Sequence, residues 1–355
     1  MTYQVALLLG VVMTAPAAAQ QLALPHSKRP LVLSGHTKAV HTVAFSPDGK
    51  LLATASSDRN VKIWNPSTAA LIRTLPDAGG SGIAFSPDGS RLVTGSASGA
   101  LAQWSTQQWA PLSHVAVHPN GSLSVAYARP ARRMPMGGGL KKPAPDLVLA
   151  ATLTPGKARL FDATNATSAT FLHELDCCSA SNDPNENYTI SILRVRFSPN
   201  GLKVGTALDH GVILWDVASG APEPVLSFSH PRDFAFSPDG SLVVIVGPAG
   251  SFDSGVLVKN LATSAYYAAA VPSYGGYDAV AFSPDGTLLA LATGNGGPCG
   301  APCTPRIVLM RIPGNQVQRE LLGHSKAIMT LAFSPDGSLL ASGSSDNTAR
   351  LWAIR

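Results

Sequence analysis

Charge is scarce in this sequence. Charged residues make up 13% of the 355 and apolar residues 45%. That balance excludes a disordered chain, which carries high charge and few apolar groups. Long hydrophobic runs are missing too. The apolar run at residues 5–13 has nine members, and a bilayer span needs about 20. Cysteine is sparse, with four residues that allow three pairings. Two stretches stop short of catalytic signatures. Gly95-Ser96-Ala97-Ser98-Gly99 puts alanine where a Gly-x-Ser-x-Gly elbow needs its nucleophile. Gly294-Asn295-Gly296-Gly297 lacks the Gly-Lys-Ser/Thr of a phosphate loop and reads as a flexible loop.

The net charge of +5 is local. Arg129, Arg132, Arg133, Lys141 and Lys142 together supply five positive charges. The rest of the chain is balanced, so a general nucleic-acid-binding surface is not implied. One basic loop is.

What the sequence has in abundance is one pentapeptide. Phe45-Ser46-Pro47-Asp48-Gly49 recurs at 85–89, 236–240, 282–286 and 333–337, with a near copy, Phe197-Ser198-Pro199-Asn200-Gly201. Serine suits the first corner of a type I turn, proline pre-sets φ at the second, and glycine takes the left-handed exit. An apolar run lies on each side, which is a hairpin signal. A seventh, degraded copy is placed at Tyr127-Ala128-Arg129-Pro130, because residues 123–127 mimic residues 41–45. The rival anchor is His118-Pro119-Asn120-Gly121. The intervals between anchors are then 40, 42, 70, 39, 46 and 51 residues. Five of them fit the roughly 40–50 residues of a four-stranded propeller blade. Insertions near 130–145 and 176–189 account for the sixth, and a further Gly/Pro/Cys loop lies near 294–305.

The expected fold is all-β: a seven-bladed propeller of four-stranded antiparallel blades. No unit can bury its apolar faces alone, so residues 20–355 should form one closed domain. A short strand at Leu31-Val32-Leu33 precedes the first unit, and the last unit ends at Trp352 with one strand too few. Pairing the two would shut the ring without an open seam. Ahead of this, the nine-residue apolar run followed by Ala17-Ala18-Ala19 reads as a secretory signal, residues 1–19, cleaved after Ala19. Its leading segment carries no lysine or arginine. Export to a periplasm or beyond the cell is expected, with no transmembrane segment left after cleavage.

Specific residues give the repeats a resemblance. Gly35-His36 and Gly323-His324 stand before the innermost strands of units one and seven. Asp58 lies six residues before Trp64, Asp346 six before Trp352, and Thr54 and Ser342 hold a hydroxyl position. The chain so resembles the WD-repeat β-propeller family, as an exported, bacterial-type member. The resemblance implies a buried hydrogen-bond chain in each complete unit: Trp64, Thr54, His36 and Asp58, and Trp352, Ser342, His324 and Asp346. Unit four keeps Asp209 and Trp215, and unit two keeps Trp104 with Ser98 at the Asp position. In units three, five and six, Phe161, Lys259 and Met310 take the Trp position.

The resemblance also implies a protein–protein interaction platform, without catalysis, metal or cofactor. The alternatives are a propeller lactonase, hydrolase or quinoprotein-like oxidoreductase using the central channel, and a TolB-like periplasmic propeller. The channel mouth is read from the residue four before each anchor: His41, Ser81, Leu123, Leu193, Arg232, Asp278 and Met329. That column holds neither three converging metal ligands nor a nucleophile with its base. Cys299 and Cys303 are the candidate disulfide, and Cys177-Cys178 is left without a role. The basic loop could dock an acidic partner or an anionic surface; the alternative is a solvated loop.

Overall fold

A computed structural model describes residues 29–354 except 97–98, 117–123, 129–147, 154–155, 166–167, 178–191, 251–254, 270, 273, 295–303, 313 and 315. The signal segment lies outside the described residues.

Each anchor turn forms as its chemistry dictates. Ser46 Oγ donates to Asp48 Oδ1 at 2.6 Å and accepts from the Leu51 amide at 2.9 Å. Gly49 takes a φ of +72°. The same bonds recur at Ser86, Ser198, Ser237, Ser283 and Ser334. Each turn joins an innermost strand to the next. Successive turns also touch: an added Cβ on Gly49 would meet Pro335 at 3.6 Å, and one on Gly89 would meet Pro47 at 3.6 Å.

The strands assemble into seven four-stranded antiparallel sheets. The innermost strands are Val40–Phe45, Gly80–Phe85, Val125–Ala128, Arg194–Phe197, Asp233–Phe236, Ala279–Phe282 and Ile328–Phe333. Each contacts the next, and the last contacts the first, which closes the ring. Val125–Ala128 is the inner strand of blade three, so the anchor there is Tyr127. The outer strand of that blade is Thr170–Asp176.

Six of the seven blades run outward in chain order. The seventh borrows its outer strand from the start of the chain: Leu31 pairs with Leu351, Val32 with Arg350 and Leu33 with Ala349. The apolar side chains form seven clusters, one at each seam between neighbouring blades. Val43 and Trp64, for example, meet Leu33, Leu339 and Leu351 across the closing seam. Every blade is covered on both faces. This is why 45% apolar composition suits a fold with no single centre.

Candidate functional site

Two polar features stand out: the buried sets inside blades, and the channel they surround. In blade one the Trp64 indole N–H donates to Thr54 Oγ1 at 2.9 Å, which lies 2.8 Å from His36 Nε2. His36 Nδ1 is 2.9 Å from Asp58 Oδ2. The order of protons follows. Asp58 only accepts, so Nδ1 carries the hydrogen, Nε2 accepts from Thr54, and the imidazole is neutral. Burial lowers the His36 pKa, although Asp58 opposes the shift. Asp58 also accepts from the amides of Thr37 and Asn60, which ties the loop before the inner strand to the hairpin turn.

Blade seven repeats the set with serine. Trp352 Nε1 is 2.8 Å from Ser342 Oγ, Ser342 Oγ 2.8 Å from His324 Nε2, and His324 Nδ1 2.8 Å from Asp346 Oδ2. Burial pushes the Asp346 carboxyl up, but hydrogen bonds from His324 and Thr348 hold it well below the usual carboxylate range. Among the described residues, blades two and four keep the first link only: Trp104 to Thr94 at 3.1 Å and Trp215 to Thr206 at 2.9 Å. In blade four, fully buried Cys177 brings its sulfur to 3.6 Å from Thr206 Oγ1, opposite the indole. The thiol takes the place that an imidazole holds in blades one and seven, a substitution the sequence pattern left without a role. Phe161, Lys259 and Met310 pair across their sheets in the same register as the tryptophans.

The channel corrects one expectation. Its lining includes the residue one before each anchor and, in five blades, the residue three before, but, among the described residues, none four before. Side chains alternate along a strand, so the alanine just before the anchor shares its face with the residue three before it. Ala44, Ala84, Ala126, Ala235, Ala281 and Ala332 line a cavity of about 670 Å3, together with Thr42, Ser124, Thr330, Arg194 and Arg196. In three blades the residue four before the anchor, His41, Ser81 or Met329, falls instead in a bulge of the inner strand. His41 Nε2 bonds Ser57 Oγ at 2.5 Å. Arg232 and Leu193 are exposed. Asp278 is half-buried against Gly294, where any side chain would collide with its carboxylate. Leu123 lies outside the described residues.

The parity shift brings out a cluster that the sequence column missed. Arg196 grips Asp233 with Nε at 3.2 Å from Oδ1 and Nη2 at 2.9 Å from both oxygens. Asp233 is 1% exposed and also accepts from the Val280 amide at 3.2 Å, so one carboxylate joins blades four, five and six. Arg194 reaches from blade four to the Met329 carbonyl of blade seven at 3.3 Å. Among the described residues no group of three His, Cys, Asp or Glu could hold a metal ion, and no helix is long and apolar enough to cross a membrane. Cys299, Cys303 and the basic residues Arg129, Arg132, Arg133, Lys141 and Lys142 lie outside the described residues.

Comparison with known proteins agrees with this geometry. The family model described as WD domain, G-beta repeat matches residues 27–65, 71–105 and 315–353. Protein Mut11 of Chlamydomonas reinhardtii is 60% identical over 42 residues, 12% of this chain and 11% of its own. A ribosome biogenesis protein BOP1 homolog of Culex quinquefasciatus is 46% identical over 46 residues, 13% of this chain and 5% of its own. The WD repeat-containing protein SL1-17 of Schistosoma mansoni is 28% identical over 175 residues, 48% of this chain and 53% of its own. The chain thus spans little of the length of the first two and about half of the third. WD40 propellers are generally non-catalytic. The three matched segments fall on the first two blades and on the last outer strand with the blade that closes the ring: the chain is a β-propeller, and those segments match the WD40 repeat.

Proposed function

We propose that this chain is a non-catalytic interaction platform, exported after cleavage behind Ala19 and working in the periplasm or outside the cell. The observation that carries the platform reading is where the repeats spend their polar chemistry. The imidazoles and carboxylates of both complete sets are engaged inside blades, holding loops to sheets. What remains for function is the ring itself, a rigid frame that presents loops from every blade. Fold alone names no partner. The basic loop is the element we assign to docking, on an acidic protein or an anionic surface. In the sequence, Arg129 to Lys142 fall between the segments that form the first two strands of blade three, where most other units carry Ser-Pro-Asp-Gly.

Affinity capture of the full chain from its native envelope fraction, with partners identified by mass spectrometry, tests both halves of the proposal. Deleting residues 131–142 should remove a captured acidic partner. An unchanged partner set would refute the docking role. Intact mass of the mature protein starting at Gln20 would support export; a retained N-terminus would refute it.

A further inference from the structure

We propose that the channel binds a small organic oxyanion, a carboxylate or a phosphate monoester, through Arg194. The cavity of about 670 Å3 falls within the range of small-molecule sites, which are mostly apolar with a few placed polar groups. Seven alanines and six hydroxyl-bearing residues make up much of its wall, and blade four alone places arginines there. The site lies inside the ring and goes beyond the platform reading, on which it does not depend.

The two arginines have different partners. Arg196 is spent: its fork holds Asp233 twice over, and that carboxylate is completed by the Val280 amide. Arg194 is not. It keeps a long ion pair, with Nε 3.9 Å from Asp233 Oδ1 and no hydrogen bond to it, and its one hydrogen bond among the described residues is the 3.3 Å contact to Met329 O. A guanidinium offers five N–H donors in a planar fork that matches two oxygens of a carboxylate or phosphate. Its side chain is 23% exposed, so it faces cavity rather than bulk water. Burial lowers the Arg194 pKa, which marks a cation with less solvation than it would have in water.

A strut between blades four and seven is the competing explanation. A single long bond to a neutral carbonyl makes a poor strut, and the Arg196–Asp233 pair already joins the neighbouring blades. The surroundings also set the ligand's charge. Asp233 and Asp278 both lie close enough to Arg194 to act on it electrostatically, and His41 flanks it from blade one. Two carboxylates so near oppose a polyanion. One oxyanion group on a compact body is the chemistry that fits.

Calorimetric titration of the full chain with succinate, glycerol phosphate and inorganic phosphate tests this. The expected result is saturable one-to-one binding of at least one organic probe, with Arg194→Met weakening it about tenfold or more and Arg194→Lys less so. Competition between succinate and glycerol phosphate would place carboxylate and phosphate on the same site. Because the methionine variant could lose its fold, the wild-type chain supplies a second readout. A binding probe should protect Arg194 from phenylglyoxal, as mapped by mass spectrometry. No saturable binding up to about 10 mM, unchanged affinity in a folded Arg194→Met variant, or no protection of Arg194 would each overturn the proposal. Binding of inorganic phosphate alone would overturn it too, since nothing would then use the alanine wall.

Discussion

Replacing Ser342 with alanine tests whether the buried sets are structural in the way their geometry demands. Ser342 is fully buried, accepts from the Trp352 indole and sits 2.8 Å from His324 Nε2. Removing one hydroxyl orphans two groups at once, a donor and an acceptor, in a site closed to water. Each orphan costs about 1–3 kcal/mol, and the lost oxygen leaves too little space for a water to replace it. The expected loss is about 2–4 kcal/mol, well above the usual surface substitution. Ser342→Thr should cost about 1 kcal/mol or less, because Thr54 does the same work in blade one. Guanidinium denaturation followed by circular dichroism measures the shift in midpoint, provided the m-value is unchanged. A double-mutant cycle sharpens the test. In the Trp352→Phe background the indole donor is already gone, so Ser342→Ala should cost about 1 kcal/mol less than in wild type. A loss under about 0.5 kcal/mol, or strict additivity in the cycle, would refute the chain of bonds.

Acid should weaken the fold in two stages. Burial lowers the pKa of His36, His41 and His324 from 6.5, so the unfolded chain binds more protons and stability falls as pH drops below about 6.5. Burial raises the carboxyls of Asp58 and Asp346, but their hydrogen bonds lower them further below 3.8, so a second loss follows as pH falls below about 3.8. Midpoints that stay flat between about pH 7.5 and 5 would contradict neutral, buried imidazoles. Gly205→Ala should cost about 1–3 kcal/mol, since the new Cβ would lie 2.6 Å from the Phe234 ring across the seam of blades four and five; a neutral result in the same denaturation assay would show that seam to be loose. Deleting residues 31–33 uncovers the edge of the last strand, Ala349–Ala353, and should lower the melting temperature and promote self-association; a monomer with a native melt by light scattering and calorimetry would argue against closure by that strand.

The parts of this fold that are legible in the sequence are those fixed by local chemistry. Ser-Pro-Asp-Gly writes its own turn, so the repeats count the blades, and Tyr127 stands out as an anchor through its flanking alternation. Register followed from the same turns, which is why Phe161, Lys259 and Met310 could be aligned with tryptophans they do not resemble. The channel column failed on parity: the residue four before the anchor lies on the opposite strand face from the alanine one before it, and bulges near His41, Ser81 and Met329 further break three inner strands. Arg196 stands where the six other units carry alanine just before the anchor, yet its partner Asp233 belongs to another blade. No local signal links residues 37 positions apart. Cys177 was illegible for the opposite reason: a thiol in an imidazole's place keeps the packing and discards the residue type.

The placement of the two complete sets follows from how the ring is shut. Blade seven is the one blade whose outer strand is not its chain neighbour, so its closure rests on non-covalent pairing. Closing a ring through the full length of the chain costs loop entropy that a covalent neighbour never meets. Trp64 packs in the seam between blades seven and one, and Trp352 in the seam between blades six and seven. The two sets therefore brace both faces of the blade with the weakest connection. Blades three, five and six have chain-neighbour strands at every position and can exchange the tryptophan for phenylalanine, lysine or methionine at no cost to closure. On this argument the unequal decay of the repeats is a map of where the ring is mechanically supported by the chain itself.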